Sequence, residues 1–207
     1  MASDRVMSTA TERNSVSVSL QKGQKVSLTK PGGGTLTRVK MGLGWDAAMK
    51  KGLFGKAKAQ SIDLDASCLL FDANGGLVDS VWFRQLRSKD GSVLHTGDNR
   101  TGAGDGDDES INVDLPGVPG NVTQLVFTVN SFTGQDFTQI ENAFCRLVDE
   151  TTGQELARYD LSGGGPHTAQ IMAKVARDGQ GWSMTAIGVP ATGRTFQQLL
   201  PTVAAHL

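Results

Sequence analysis

The sequence predicts a mainly β protein, a β-sandwich or a closed barrel-like fold, and three observations carry that reading. Apolar residues recur with period two along most of the chain, turn signals rich in Gly, Asn and Asp separate the runs, and convincing long helices are few. The 207 residues suffice for one large domain or two small ones and for a sizeable core, and 26 glycines against 6 prolines suit tight turns rather than a stiff linker.

Residues 1–15 are polar and mixed in charge and read as a flexible N-terminal segment. Val16, Val18 and Leu20 then alternate with serines, and Val39, Met41 and Leu43 repeat the pattern. From Met49 to Gln60 it breaks. Lys50, Lys51, Lys56 and Lys58 flank Leu53 and Phe54, which reads as a solvated loop between two strands or, more sharply, as a docking loop for an acidic partner or membrane surface. Ile62, Leu64, Ala66, Cys68 and Leu70 share one face of the next strand, with Asp63, Asp65 and Ser67 on the other. Asp72-Ala73-Asn74-Gly75-Gly76 and Lys89-Asp90-Gly91 are turns, since Asn and Gly tolerate positive φ.

Leu125, Phe127 and Val129, then Phe144, Arg146 and Val148, belong to further strands. Residues 169–177 fit a short helix or a strand equally well. Phe196, Leu199 and Leu200 predict a short C-terminal helix ended by Pro201. One core therefore spans residues 16–189, with 190–207 as an appendage. Trp45, Trp82 and Trp182 read as packing residues rather than a ligand cage.

A formal net charge of -1 gives no global drive towards nucleic acid or an anionic membrane. Neither a signal-peptide run nor eighteen uninterrupted apolar residues occurs, so a cytoplasmic protein is expected, with peripheral attachment to the inner face of the membrane as the alternative. Cys68 and Cys145 lie in β-like stretches without metal-type spacing and are expected as buried free thiols. His95, His167 and His206 are scattered, which argues against zinc.

The least ordinary stretch is Gly97 to Glu109. Asp98, Asp105, Asp107, Asp108 and Glu109 stand there against Arg100 alone, a local charge of -4 among glycines. A hard divalent cation relieves such repulsion, and Ca²⁺, which takes six to eight oxygens in irregular geometry, fits better than Mg²⁺. The stretch is not an EF-hand: counted from Asp98, Glu109 falls at position twelve, but Arg100 and Gly102 replace oxygen ligands and Ala103 replaces the turn glycine. Asp63 and Asp65, on one strand face, disfavour each other unless hydrated or neutralised, and make a second acidic wall.

Several longer segments then carry a specific resemblance. They include Val18 to Leu28 (VSLQKGQKVSL), Val39 to Asp46 (VKMGLGWD), Asp63 to Ser67 (DLDAS), His95 to Gly102 (HTGDNRTG), Gly104 to Glu109 (GDGDDE), Asn142 to Arg146 (NAFCR) and Glu155 to Tyr159 (ELARY). From about Val16 to Gly188 the chain resembles the tellurium-resistance TerD-like family, which includes calcium-binding stress proteins. The resemblance implies a two-sheet antiparallel β-sandwich with a few short helices and long acidic loops that bind two Ca²⁺ ions. It implies Asp63, Asp65, Asp98, Asn99, Asp105, Asp107, Asp108 and Glu109 as ligands, with Thr101 and Gly102 offering backbone oxygens. The lysine-rich insertion and the C-terminal segment depart from the shortest family pattern.

The expected function is a calcium-binding module in tellurium resistance and general stress response, acting by calcium-dependent ordering of a surface read by a protein or a membrane-associated stress complex. No enzyme is expected, because neither a cysteine pair, a haem motif nor a nucleotide fingerprint is present. Two alternatives stand beside it: a metal-dependent enzyme acting on a phosphate ester or oxyanion, and a calcium-independent scaffold using the lysine-rich loop.

Overall fold

A computed structural model describes residues 18–19, 21–28, 34–47, 49–51, 57–59, 62–99, 106–161, 165–179 and 181–207. The chain runs through β1 (Val18–Ser19), β2 (Lys25–Ser27), β3 (Arg38–Ala47), β4 (Met49–Lys51), β5 (Ala57–Ala59), β6 (Leu64–Phe71) and β7 (Leu77–Val81). It continues through β8 (Val93–His95), β9 (Glu109–Asp114), β10 (Gln124–Ser131), β11 (Ile140–Asp149), β12 (Gln154–Asp160), β13 (Ala169–Asp178), β14 (Gly181–Ala191) and helix α1 (Phe196–Ala204).

Two six-stranded sheets face each other, in the orders β1-β12-β11-β3-β9-β8 and β2-β14-β13-β10-β6-β7. All pairings within them are antiparallel except β1 with β12. The predicted mainly β sandwich is therefore the observed one. The alternation found in the sequence sets its interior: Val39, Met41 and Leu43 of the first sheet pack with Leu64, Ala66, Cys68, Leu125, Phe127 and Val129 of the second. Turn chemistry behaves as expected. The Asp72 carboxylate accepts from the Asn74 and Gly76 N–H groups, both at 2.8 Å, with Gly75 at φ 78°.

Three readings resolve or change. Residues 169–177 are strand, inside β13, where β10 and β14 supply ladders on both sides and override an ambiguous propensity. The lysine-rich segment is not a plain loop between strands: β4 and β5 form a two-stranded antiparallel ladder of their own, while residues 52–56 lie outside the described set. Pro201 does not end the C-terminal helix but lies within it. Phe196, Leu199 and Val203 are buried against Leu69, Phe71, Val126 and Ile171 on the outer face of the second sheet, and that burial outweighs one missing backbone hydrogen bond.

That second hydrophobic layer explains why β6 is buried along its whole length, on both faces. Leu69 and Phe71 lie under α1. Asp65 and Ser67 have the same strand parity as Leu69 and Phe71, nearer the strand start, and they are buried too. Cys68 and Cys145 are free and buried; burial pushes both thiols up, Cys145 to about 12.

Candidate metal centre

The acidic stretch is the connection between β8 and β9, an antiparallel hairpin in the first sheet registered by Val93 with Val113 and His95 with Ile111. Its base is pinned by Thr96, whose N–H donates to the Ser110 carbonyl at 2.9 Å and whose hydroxyl accepts from the Ser110 N–H at 3.1 Å. The returning arm runs beside β3, where the Asp108 N–H donates to the Leu43 carbonyl at 2.8 Å. Asp63 and Asp65 come from the other sheet, at the entry to β6. The site thus forms where a hairpin of one sheet meets the start of a strand in the other.

Asp63, Asp65 and Asp98 converge. One carboxylate oxygen from each lies within 4.8 Å of the other two. Asp65 is only 3% exposed, and its carboxylate accepts from the Asn130 side-chain amide at 3.1 Å, the residue facing it in the β6–β10 register. Burial, then the negative charges of Glu109, Asp63 and Asp98, push the Asp65 carboxyl up to about 8, against the lowering effect of Asn130. A carboxylate so disfavoured is stabilised in its charged form by a cation. The donor set is all oxygen, which suits a hard cation, and among the described residues the buried Asn130 Oδ1 has no hydrogen bond.

Glu109 is the bridge between the sheets. It is 1% exposed, and its Oε2 accepts from the Ala66 N–H at 2.8 Å while Oε1 accepts from the Asn99 N–H at 3.1 Å. His95 Nε2 lies 3.4 Å from the same Oε2, and His95 Nδ1 accepts from the Gly97 N–H at 3.1 Å. Among the described residues the buried His95 Nε2 makes no hydrogen bond. Two backbone donors thereby hold the Glu109 carboxylate, and its charge acts on Asp65.

Asn99 and Asp108 tie the two arms of the acidic stretch together. The Asn99 amide donates to Asp108 Oδ1 at 2.9 Å, and the Trp45 N–H donates to Asp108 Oδ2 at 3.0 Å. Burial, with Asp46, Glu109 and Asp107 nearby, raises the Asp108 carboxyl despite the Trp45 donor. Asp107 is turned elsewhere. Its carboxylate meets Arg146 Nε at 2.6 Å and Lys40 Nζ at 2.9 Å, and these cations hold it below the usual carboxylate range although burial acts the other way. It lies over Gly42, where a Cβ would overlap the carboxylate. Arg146 also reaches Glu155 at 3.3 Å. Asp107 thus works as a latch holding the acidic stretch to the first sheet. Thr101, Gly102 and Asp105 lie outside the described residues.

Sequence reasoning misses the residues that support this site. Asn130 carries the best signal, a polar side chain within an otherwise apolar strand; His95, Lys40 and Arg146 carry none, because their roles depend on strands remote in sequence. Beside the three carboxylates opens a cleft of about 400 Å³, also lined by Phe83, Arg84, Phe132 and Thr133. No helix among the described residues is long and apolar enough to cross a membrane.

Known proteins resemble the chain throughout this architecture. It is 51% identical over 184 residues to tellurium resistance protein TerZ of Serratia marcescens, covering 88% of this chain and 94% of that one. It is 42% identical over 185 residues to stress response protein SCP2 of Bacillus subtilis (strain 168), covering 84% and 92%. The fold matches the crystal structure of a homologue of telluride resistance protein (TerD) from Streptomyces coelicolor A3(2) with a TM-score of 0.68, at 20% identity, over 82% of this chain and 98% of that one. The TerD domain family matches residues 16–201. The two sheets, the acidic hairpin and these matches over most of the chain have one consequence: the chain belongs to the TerD domain family.

Proposed function

We propose that the protein is a calcium-binding module of a tellurium-resistance and stress response, and that calcium acts by ordering the surface around the β8–β9 connection rather than by catalysing a reaction. The observation that carries this reading is the convergence of Asp63, Asp65 and Asp98 from two sheets, with Asp65 buried. Two relatives, named for tellurium resistance and for stress response, support the cellular role. In this reading Asp63, Asp65 and Asp98 supply carboxylates to the ion. Asn99, Asp108 and Glu109 line the approach, and Thr101, Gly102 and Asp105 complete the oxygen shell of two ions. A protein or membrane-associated stress complex then reads the ordered surface from the cytoplasmic side.

Calcium calorimetry on the full chain, with magnesium in parallel, tests the proposal. Calcium is expected to bind with preference over magnesium, to protect residues 98–109 from proteolysis, and to stabilise the fold by about 2.7 kcal/mol at a free concentration one hundredfold above its Kd. Absence of binding heat, stabilisation and protection at millimolar calcium sinks it.

A further inference from the structure

The acidic site and α1 share the outer face of the second sheet. Asp65, Leu69 and Phe71 lie on one face of β6, and Val126 and Asn130 on the matching face of β10. α1 covers Leu69, Phe71 and Val126, while Asp65 and Asn130 sit just beyond it. Asn130 joins the two. Its amide nitrogen donates to Asp65 Oδ2 at 3.1 Å and to the Arg194 carbonyl at 2.7 Å, two bonds that one amide makes at once because it carries two hydrogens. The residue is 1% exposed, and among the described residues its Oδ1 has no hydrogen bond, so the nitrogen orients the side chain. Arg194 directly precedes Thr195, the N-cap of α1, whose side chain makes no capping bond. The entry to α1 is held instead by Asn130, by the Gly193 N–H donating to Thr168 Oγ1 at 3.1 Å, and by the Arg194 N–H donating to Gln198 Oε1 at 2.6 Å. A row of rings runs the same way. The Phe132 N–H donates to the Asp63 carbonyl at 3.0 Å, and Phe132, Phe83, Trp82 and Phe196 of α1 follow edge to face, with centroids 5.5, 4.8 and 5.2 Å apart.

We infer that the seating of α1 on the second sheet is coupled to occupancy of the acidic site, with Asn130 as the positioning residue that links them. The inference rests on the calcium reading and extends it from the β8–β9 connection to a second surface. A carboxylate has about four lone-pair positions, so Asp65 can hold an ion and the Asn130 amide together. An ion that fixes Asp65 also fixes Asn130, and the rotamer freedom of that side chain is not lost a second time when the α1 entry closes on it. The coupling is reciprocal: seated α1 favours the ion by the factor by which the ion favours seated α1.

The test is amide hydrogen exchange on the full chain in EDTA and at saturating calcium, after calorimetry has measured calcium binding to each variant. Calcium is expected to slow exchange at the Leu199, Leu200 and Val203 amides of α1 about tenfold. The Gly23 and Leu28 amides, which donate to Ala186 and Trp182 at the opposite edge of the same sheet, should change less than twofold and report any general stabilisation. In Asn130→Ala, saturated with calcium, the slowing at α1 should fall below threefold; Asn130→Ser, too short to span Asp65 and Arg194, serves the same purpose if the alanine variant does not fold. Calcium binding with unchanged α1 exchange overturns the coupling and leaves the calcium reading standing, whereas failure of calcium to bind overturns both. Equal slowing at Gly23 and Leu28, or full slowing retained in the Asn130 variant, also refutes it.

Discussion

Replacing Asp65 by Asn should stabilise the metal-free protein and abolish its response to calcium, an inversion that an ordinary core mutation would not give. In the metal-free fold the Asp65 carboxyl is pushed up to about 8 from its ordinary 3.8, by burial first and by Glu109, Asp63 and Asp98 next. Between those values the folded chain holds a proton that the unfolded chain has released. The associated stability is fully present below the unfolded value and is lost as pH rises through about 8. Each pH unit by which a pKa is displaced is worth about 1.36 kcal/mol, so the limit is on the order of 5 kcal/mol; relaxation and water entry reduce it to about 2–3 kcal/mol. Asn carries no charge. It can still accept from Asn130, and the unsatisfied Asn130 Oδ1 offers an acceptor for the new amide. Urea unfolding in EDTA, followed by tryptophan fluorescence, reads the effect, since Trp45 and Trp182 are buried. Asp65→Asn should exceed wild type by about 2–3 kcal/mol at pH 8, or about 5–10 °C in Tm, with the gap closing towards pH 4.5. A wild-type metal-free stability that is flat from pH 5 to pH 8, or a variant less stable than wild type at pH 8, would refute the argument.

Other expectations follow from the latch and the outer layer. Gly42→Ala should displace the Asp107 carboxylate from Lys40 and Arg146 and cost about 1–3 kcal/mol, and most of that cost should vanish in an Asp107→Ala background; equal costs in both backgrounds would show that the latch is not the cause. Asp107→Asn should keep the calcium stoichiometry that Asp65→Asn loses, as read by calorimetry, because the Asp107 oxygens already face two cations. Leu199→Ala should lower stability by about 2–4 kcal/mol in urea unfolding, since the side chain is fully buried between α1 and the second sheet; a change below 0.5 kcal/mol, roughly the level of an ordinary surface substitution, would mean that α1 is only loosely held.

Much of the fold is legible in the sequence because period-two patterning is a local property. Val39, Met41 and Leu43, or Leu125, Phe127 and Val129, point to the interior in any sheet that buries one face. Phe144 and Arg146 show the limit of the pattern. They face outward, Phe144 with the Arg158 guanidinium 3.7 Å from its ring centre, while Cys145 and Leu147 enter the core. Which parity is inward depends on the register with β3, and that register shifts between Glu141 and Phe144. The expectation for Pro201 fails because helix-breaking propensity is local, whereas the burial that overrides it comes from strands far away in sequence.

The sequence by itself determined the mainly β class, the turns, the buried free cysteines and the two acidic walls, since each is written in neighbouring residues. Only the tertiary structure decided which carboxylates meet. Asp63, Asp65 and Asp98 converge because the connection after β8 of one sheet meets the entry to β6 of the other, and Asp107, identical to its neighbours in chemistry, is turned away by Lys40 and Arg146 over a glycine. Charge composition can announce repulsion that some cation would relieve. Which oxygens share one ion and which share an arginine is a matter of distances between strands, and no local pattern encodes it.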